Sequence, residues 1–184
     1  MSVEIPGYLA GTWAIDPVHS EVSFVVRHMM VSKVRGRFDK FEGTLVTGES
    51  PLASSVTAKV DLTSINTGQE QRDAHIRSAD FFEVEKYPEI SFASTSIEKI
   101  DDETVKITGD LTLHGETHPI ELEAELGGVE TGPEGETRTG LEVTGTLSRK
   151  EWGMHFNAAL GSGNVVVSDK VKLTLDIAAV LDEG

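Results

Sequence analysis

The chain has 184 residues, of which 38% are hydrophobic, and this length suits a domain with a substantial core. Lys and Arg number 16 against 31 Asp and Glu, which gives a formal net charge of −15. Such a charge repels phosphate backbones and anionic bilayers, so nucleic acid is not expected as a partner. The chain contains no cysteine, which excludes disulfides, thiolate nucleophiles and Cys-ligated zinc.

The first residues, MSVEIPGYLAGTW, contain neither a basic n-region nor an apolar h-region. We therefore expect no secretory signal, no membrane-spanning segment and a cytoplasmic protein. Composition does not change along the chain and no internal repeat is present, so we expect one domain over 1–184.

Apolar and polar residues alternate along most of the chain, which is typical of half-buried β-strands. A short extended segment around Trp13 precedes a strand at 19–29. The partner of that strand is predicted over 34–46, with bends or bulges at Gly36 and Gly43. Further strands are predicted around 56–62, 90–100, 105–113, 120–126, 141–147 and 165–180.

Three segments break the alternation. The segment HGETHP at 114–119 is predicted to be a turn between antiparallel neighbours. Residues 127–140 are rich in Gly and Glu and are predicted to form a mobile polar loop. Residues 149–164 are irregular.

The pattern amounts to about eight antiparallel strands, whose unpaired edges are removed if the sheet closes. We therefore predict an all-β protein, an extended antiparallel barrel with one short helix. The interior of such a barrel is filled by side chains or holds one small ligand. The small residues in the apolar phase either leave room for a cavity or lie opposite large residues and interdigitate; they are Ala58, Ser94, Ser96, Gly109, Ala124 and Gly145.

The stretch QEQRDAHIRSADFFEVEKYPEISF at 69–92 differs from the strands around it. Thr67 as N-cap and Glu70 three residues later have the spacing of a capping box, which predicts a short helix. The adjacent Phe81 and Phe82 follow this helix and are costly to leave in water. The segment is interpreted either as a lid that plugs one end of the barrel or as an ordinary connecting helix.

Polar residues in this stretch are the strongest candidates for binding chemistry. Arg72, Asp73, His75 and Arg77 lie beside the aromatic pair and are placed to bind a polar head group at a cavity mouth. Alternatively, Arg72 and Asp73 cap helix and strand ends through charge-assisted hydrogen bonds. His75 fits either reading.

Motifs for metal binding or hydrolysis are absent. The six histidines do not follow a metal-ligand spacing, although His114 and His118 flank the turn predicted at 114–119. No G-x-S-x-G motif and no phosphate-binding loop occur, and no cofactor or metal is expected.

Several motifs in their order resemble the YceI-like family. They are WxIDPxHS at 13–20, KVRGRF at 33–38, SINTG at 64–68, RDAHIRSADFF at 72–82, YPEISF at 87–92 and GDLTLHGxTHP at 109–119. Arg149 followed by WGM at 152–154 resembles a late motif of the family. The resemblance covers nearly the whole chain.

The resemblance implies a lipocalin-like barrel whose apolar lumen holds a polyisoprenoid lipid, such as an isoprenoid quinone or a polyprenyl chain. We expect binding, transport or storage of this lipid without an enzymatic step. The alternation, together with the aromatic pair and the late motif, supplies the candidate lining residues, with His75 near a head group. They are Phe24, Val26, Phe38, Phe41, Val60, His75, Phe81, Phe82, Phe92, Leu111, Leu113, Leu122, Trp152, Met154 and Phe156.

Two other functions remain as alternatives. An enzyme acting on a small apolar or isoprenoid substrate would need a titratable lumen residue, and His28 is in register with Phe24 and Val26. An acidic stress or interaction module would use the charged exterior instead. The sequence also leaves a homodimer as an alternative to a monomer.

Overall fold

The computed structural model describes Ile5 and residues 7–29, 31–157 and 167–183. Its strands and helix are β1 (Gly11–Ile15), β2 (Glu21–His28), β3 (Ser32–Phe38), β4 (Phe41–Thr47), β5 (Ser55–Asp61), β6 (Ile65–Asn66), α1 (Glu70–Arg77), β7 (Glu89–Lys99), β8 (Thr104–Leu113), β9 (Glu116–Thr131), β10 (Thr137–Ser148) and β11 (Val167–Leu181).

The sheet closes on itself through β11. One edge of β11 pairs with β10, and the other pairs with β1 near its end and with β2 near its beginning. Strand β4 continues β3 beside these two, and β6 continues β5. The eleven strand segments therefore form eight long antiparallel staves in a closed ring. The predicted barrel of about eight strands with one short helix is confirmed.

The strand predicted over 34–46 is divided into β3 and β4 at Asp39 and Lys40. Gly36 and Gly43 lie inside regular strands, so the prediction of bends at these glycines was wrong. A Cβ atom on Gly36 would collide with the Phe24 ring, and one on Gly43 would collide with Ile15. Both glycines therefore serve to accept a neighbouring large side chain.

Two predicted connections are shorter than expected. The turn between β8 and β9 consists of His114 and Gly115, both with positive φ, as a tight hairpin turn requires. His118 and Pro119 already pair with β8. Strands β9 and β10 also extend to Thr131 and Thr137, so most of the loop predicted at 127–140 is sheet. Its backbone groups pair across the two strands, which a composition-based prediction did not take into account.

The barrel interior is made by the apolar phase of each strand. Along β8, Val105, Ile107, Leu111 and Leu113 are buried. Their neighbours on β9 and β10 continue this core around the ring. The segment after β10 forms a short 3₁₀ turn at Arg149–Trp152 and is irregular to 157, as predicted; 158–166 lie outside the described residues. The strand predicted at 165–180 corresponds to β11, and its first two residues also lie outside them.

The small residues of the apolar phase are used in both ways that the sequence allowed. Gly109 lies under the Phe92 ring, and Gly145 lies directly opposite Leu122. Ala124 is fully buried between its neighbours. These residues interdigitate with large ones, whereas Ala58 faces an open space in the lumen.

The short helix exists, but its predicted capping box was wrong. Helix α1 begins at Glu70 and its N-cap is Gln69, which makes no side-chain cap bond. Thr67 precedes the helix and binds the carboxylate of Asp73 instead, through both its backbone N–H and its hydroxyl. Because Asp73 reaches back to the turn, Thr67 is held outside the helix.

A charge cluster connects the turn after β1 to β10. The carboxylate of Asp16 lies 2.9 Å from Nη1 of Arg138 and 2.7 Å from Nδ1 of His19. The hydrogen bond from Arg138, followed by the one from His19, lowers the pKa of Asp16 well below its usual range. The cluster therefore stabilises the barrel near its closure when Asp16 is ionised.

We predict that Asp16→Asn lowers the free energy of unfolding by about 1 kcal/mol at neutral pH, as for partly exposed ion pairs. Because folding lowers the pKa of Asp16, its contribution is complete above the unfolded pKa of about 4 and is lost as the pH falls through the folded pKa. Urea unfolding at several pH values should show the two proteins converging in acid. Asp110→Asn, at an exposed position, is the control, and a pH-independent difference for Asp16→Asn would contradict this account.

Candidate functional site

The lumen contains a first chamber of about 230 Å³ between α1 and the barrel wall. Phe24, Val26 and Phe38 line it from β2 and β3, and Phe81 and Phe82 line it from the segment after α1. The remaining residues of its wall are Arg27, His28, Val34, Arg72, His75, Ile76, Ile90, Leu113, Leu147, Arg149, Met154, Phe156, Val167, Val171 and Leu173.

A second chamber of about 160 Å³ adjoins the first along the barrel axis. The two chambers have five wall residues in common, which are Phe38, Ile90, Leu113, Leu147 and Leu173. The wall of the second chamber is otherwise apolar except for Ser23 and Glu42. The two chambers together form an elongated oily space along the axis.

A small end cavity of about 60 Å³ lies beyond the second chamber. Leu45, Val56, Ile107 and Leu141 line both spaces and therefore stand between them. Tyr8 lines the far side of the end cavity, and its hydroxyl donates a hydrogen bond to the carbonyl of Gly48 at 2.7 Å.

The series of spaces extends along much of the barrel. Strand β11 lines the first chamber from Val167 and the second chamber as far as Ala179. At roughly 3.3 Å per residue, this part of the strand spans about 40 Å. A strand tilt of about 40° shortens that distance to about 30 Å along the barrel axis. The shape suits a long, narrow apolar molecule.

Aromatic rings surround one end of the first chamber. His75 on α1 contacts the rings of Phe81 and Phe156 edge to face, with centroids 5.2 and 5.1 Å away. Phe81 and Phe156 also contact each other at 5.2 Å. We call His75, Phe81 and Phe156 the mouth cluster. On its outer side, Nε2 of His75 lies 2.8 Å from a carboxylate oxygen of Asp80.

Arg72 and Asp73 have the structural role that the sequence left as an alternative. Arg72 donates from Nε to the Thr67 hydroxyl and from Nη2 to the Thr67 carbonyl, each at 2.8 Å. Asp73 is buried and accepts from the same residue. The two charges therefore hold the turn before α1, although Arg72 also reaches the wall of the first chamber.

Arg149 is buried, with only 3% of its surface exposed. Its guanidinium donates to four backbone carbonyls: those of Met154, Phe156, Val167 and Ser168, at 2.7 to 3.1 Å. The guanidinium carbon also lies 5.8 Å from the centre of the Phe81 ring. Arg149 thus positions the chain that supplies Phe156 to the mouth cluster.

The structure brings nearly all the candidate lining residues to the lumen. Trp152 is the exception: it lines neither chamber and is fully buried, with Nε1 donating to the carbonyl of Leu111 at 3.0 Å. Its placement in the wall was therefore wrong, because it packs behind β8. The others all line a chamber, namely Phe24, Val26, Phe38, His75, Phe81, Phe82, Leu113, Met154 and Phe156 in the first, and Phe41, Val60, Phe92, Leu111 and Leu122 in the second.

Sequence reasoning missed several wall residues from the second half of the chain. Leu147 and Leu173 line both chambers, and Leu175 and Ile177 line the second. The signal was present, because all four belong to the apolar phase of β10 or β11. Ile76 on α1 carried no such signal, because α1 has a weak apolar face and docking alone directs this residue inward.

The histidines do not form a metal site. Among the described residues, no three His, Cys, Asp or Glu side chains come together to hold an ion. His114 donates or accepts through Nδ1 at the Trp152 carbonyl, 3.0 Å away, and His118 packs against the Trp152 ring. His28 lines the first chamber. In the described part of the chain, no α-helix is long and apolar enough to cross a membrane.

Comparison with known proteins agrees with this geometry. The model of the YceI-like domain matches residues 13–179. The chain belongs to the YceI-like family. A UPF0312 protein of Staphylococcus aureus (strain USA300) is 38% identical over 163 residues, which is 87% of this YceI-like chain and 92% of that protein.

Two solved structures are similar to this YceI-like barrel. A Campylobacter jejuni YceI protein is 29% identical, with a TM-score of 0.71 over 85% of this chain and 90% of that one. A polyisoprenoid binding domain from Saccharophagus degradans has a TM-score of 0.70 over 92% of this chain and 98% of that one. Its sequence identity is 18%, so this second likeness concerns the fold.

We predict that Trp152→Phe and Phe156→Leu have different effects. Trp152→Phe leaves the Leu111 carbonyl without its donor inside the core, which should cost about 1–3 kcal/mol of unfolding free energy. It should leave the occupancy of the lumen unchanged. Phe156→Leu alters the mouth cluster and should weaken binding of apolar molecules more than it affects stability. Urea unfolding and titration with an environment-sensitive apolar dye measure both properties; the reverse pattern would contradict these assignments.

Proposed function

We propose that this protein binds a single polyisoprenoid chain, such as that of an isoprenoid quinone or a polyprenyl lipid, along the lumen of the barrel. It carries or stores the lipid without changing it chemically. The observation that carries the proposal is the pair of adjoining chambers with apolar walls along the axis. The name of the Saccharophagus degradans domain, a polyisoprenoid binding domain of the same fold, supports the same ligand class.

The energetics of such binding are simple. An isoprenoid chain has no polar groups along its tail, so an apolar wall leaves no hydrogen bond unmade. Burial contributes roughly 25 cal/mol per Å² of apolar surface, less the cost of ordering the flexible tail. The narrow lumen already orders the tail along one direction, and the rigid closed sheet does not need to rearrange around it.

A catalytic function in the same lumen is the weaker proposal. His75, one candidate for acid–base chemistry, is bound to Asp80 on the outer side of the mouth cluster. His28 lines the first chamber but has no nucleophile beside it among the described wall residues. If His28→Ala leaves the bound lipid and its chemical state unchanged, the carrier function is favoured over an enzyme.

The central test is whether lipid occupies the lumen. Native mass spectrometry of gently purified full-length protein should show a bound lipid in a one-to-one complex. Delipidated protein should take up a polyprenyl quinone at the same ratio. Protein that is empty after gentle purification and does not take up added polyprenyl lipids would contradict the proposal.

We predict that Ala58→Phe blocks the second chamber, which Ala58 lines. A ring at this position displaces the tail from about 60 Å² of wall, which corresponds to roughly tenfold weaker binding. Thr57→Phe places the same ring on the outer face of β5 and is the matched control, because Thr57 is exposed. Dye displacement by a polyprenol measures the affinities; equal weakening by both variants would contradict binding in the lumen.

The residues between the second chamber and the end cavity should limit tail length. We predict that Leu141→Ala joins the two spaces and shifts the preferred ligand to a longer tail, whereas Glu142→Ala, on the exposed face of β10, does not. A ladder of polyprenols of increasing length, analysed by native mass spectrometry, measures the preference. Circular dichroism confirms folding, because Leu→Ala changes in cores cost about 2–5 kcal/mol. An unchanged length preference in folded Leu141→Ala would place the limit elsewhere.

A further inference from the structure

The ionisable side chains that line the first chamber are all basic. They are Arg27, His28, Arg72, His75 and Arg149, and among the described wall residues none is Asp or Glu. This contrasts with the whole chain, in which 31 acidic residues face 16 Lys and Arg. The second chamber differs, because its polar wall residues are Ser23 and Glu42. The lumen therefore has a basic end and an oily end.

The acidic groups near the mouth do not cancel this charge from inside the chamber. Asp80 binds His75, and Asp73 binds Thr67, but neither carboxylate lines the chamber. Within the described part of the chain, no carboxylate lies within ion-pair distance of Arg72 or Arg149. The two guanidiniums are held mainly by carbonyl and hydroxyl oxygens, which orient them without neutralising them.

Arg149 shows what this arrangement costs. Burial lowers the pKa of its guanidinium, and the more distant charge of Asp169 acts in the opposite direction. Arginine nevertheless stays protonated in proteins. A buried cation without a direct carboxylate partner is expensive, and an anion brought beside it recovers part of the lost solvation.

We propose that the first chamber holds the head group of the ligand, and that this head group is anionic, either a carboxylate or a phosphate. The tail then lies in the second chamber. The inference rests on the proposed function and narrows its ligand class. An anion about 6 Å from one unneutralised guanidinium gains roughly tenfold to hundredfold in affinity at an effective dielectric constant of about 20. A cationic head group is disfavoured by the same field.

A series of ligands with one tail and different head groups tests the proposal on the full-length protein. The probes are geranylgeranyl phosphate, geranylgeranoic acid, geranylgeraniol and geranylgeranylamine, each titrated against delipidated protein in detergent-free buffer. We expect at least one anion to bind at least about tenfold more tightly than the alcohol, and the amine to bind most weakly. A preference for the phosphate identifies phospholipid-like ligands, and a preference for the carboxylate identifies acid-type ligands.

The outcomes separate this inference from the proposed function. If the alcohol or the amine binds as tightly as both anions, the basic chamber does not select the head group, while tail binding stands. If no member of the series binds and longer polyprenyl quinones do not bind either, the proposed function fails together with the inference.

A charge variant locates the effect. His28 lines the chamber, is partly buried and has no side-chain hydrogen bond within the described chain, so His28→Glu changes the charge without breaking a contact. We expect it to weaken anion binding at least about tenfold and to strengthen amine binding. Arg35→Gln changes the net charge by the same amount on the exposed face of β3 and should have little effect. Equal responses to the two variants would overturn the assignment of the head group to this chamber.

Discussion

The structure depends on the closure of the sheet along β11. This strand pairs on one side with β10 over most of its length and on the other side with β1 and β2 in succession. Closure satisfies the backbone groups that an open sheet would leave at its edges. It also fixes the circumference at eight staves, and with it the width of the interior. The lumen is a consequence of this width.

Side-chain size then decides where the interior is open. At Gly109 and Gly145 the facing Phe92 and Leu122 fill the space, so these parts of the barrel are solid. Elsewhere the large residues of opposite walls do not meet, and two adjoining chambers remain. Apolar walls explain why such spaces are tolerated in water, because a space of this kind offers water few hydrogen bonds. The same property makes the lumen suitable for a lipid tail.

The mouth of the lumen is built by residues that mainly hold the backbone. Thr67, Arg72 and Asp73 fix the turn before α1, and Arg149 gathers carbonyls from the segments around Phe156 and β11. The ring contacts of the mouth cluster follow from these supports. The charges required to build this end of the barrel also surround the first chamber, which gives structural residues an influence on what the lumen accepts.

The alternation of apolar and polar residues was enough to predict the barrel and most of its inward-facing side chains, since a strand has only two faces and burial selects one. Leu147 and Leu173 carried the same signal. What the sequence did not determine were contacts between residues distant along the chain. Thr67 has the spacing of a cap but binds Asp73, Trp152 belongs to an aromatic motif but packs behind β8, and Gly36 gives way to Phe24. Only the tertiary structure decided which small residues are filled by a neighbour and which open into the lumen, because that depends on the register between strands.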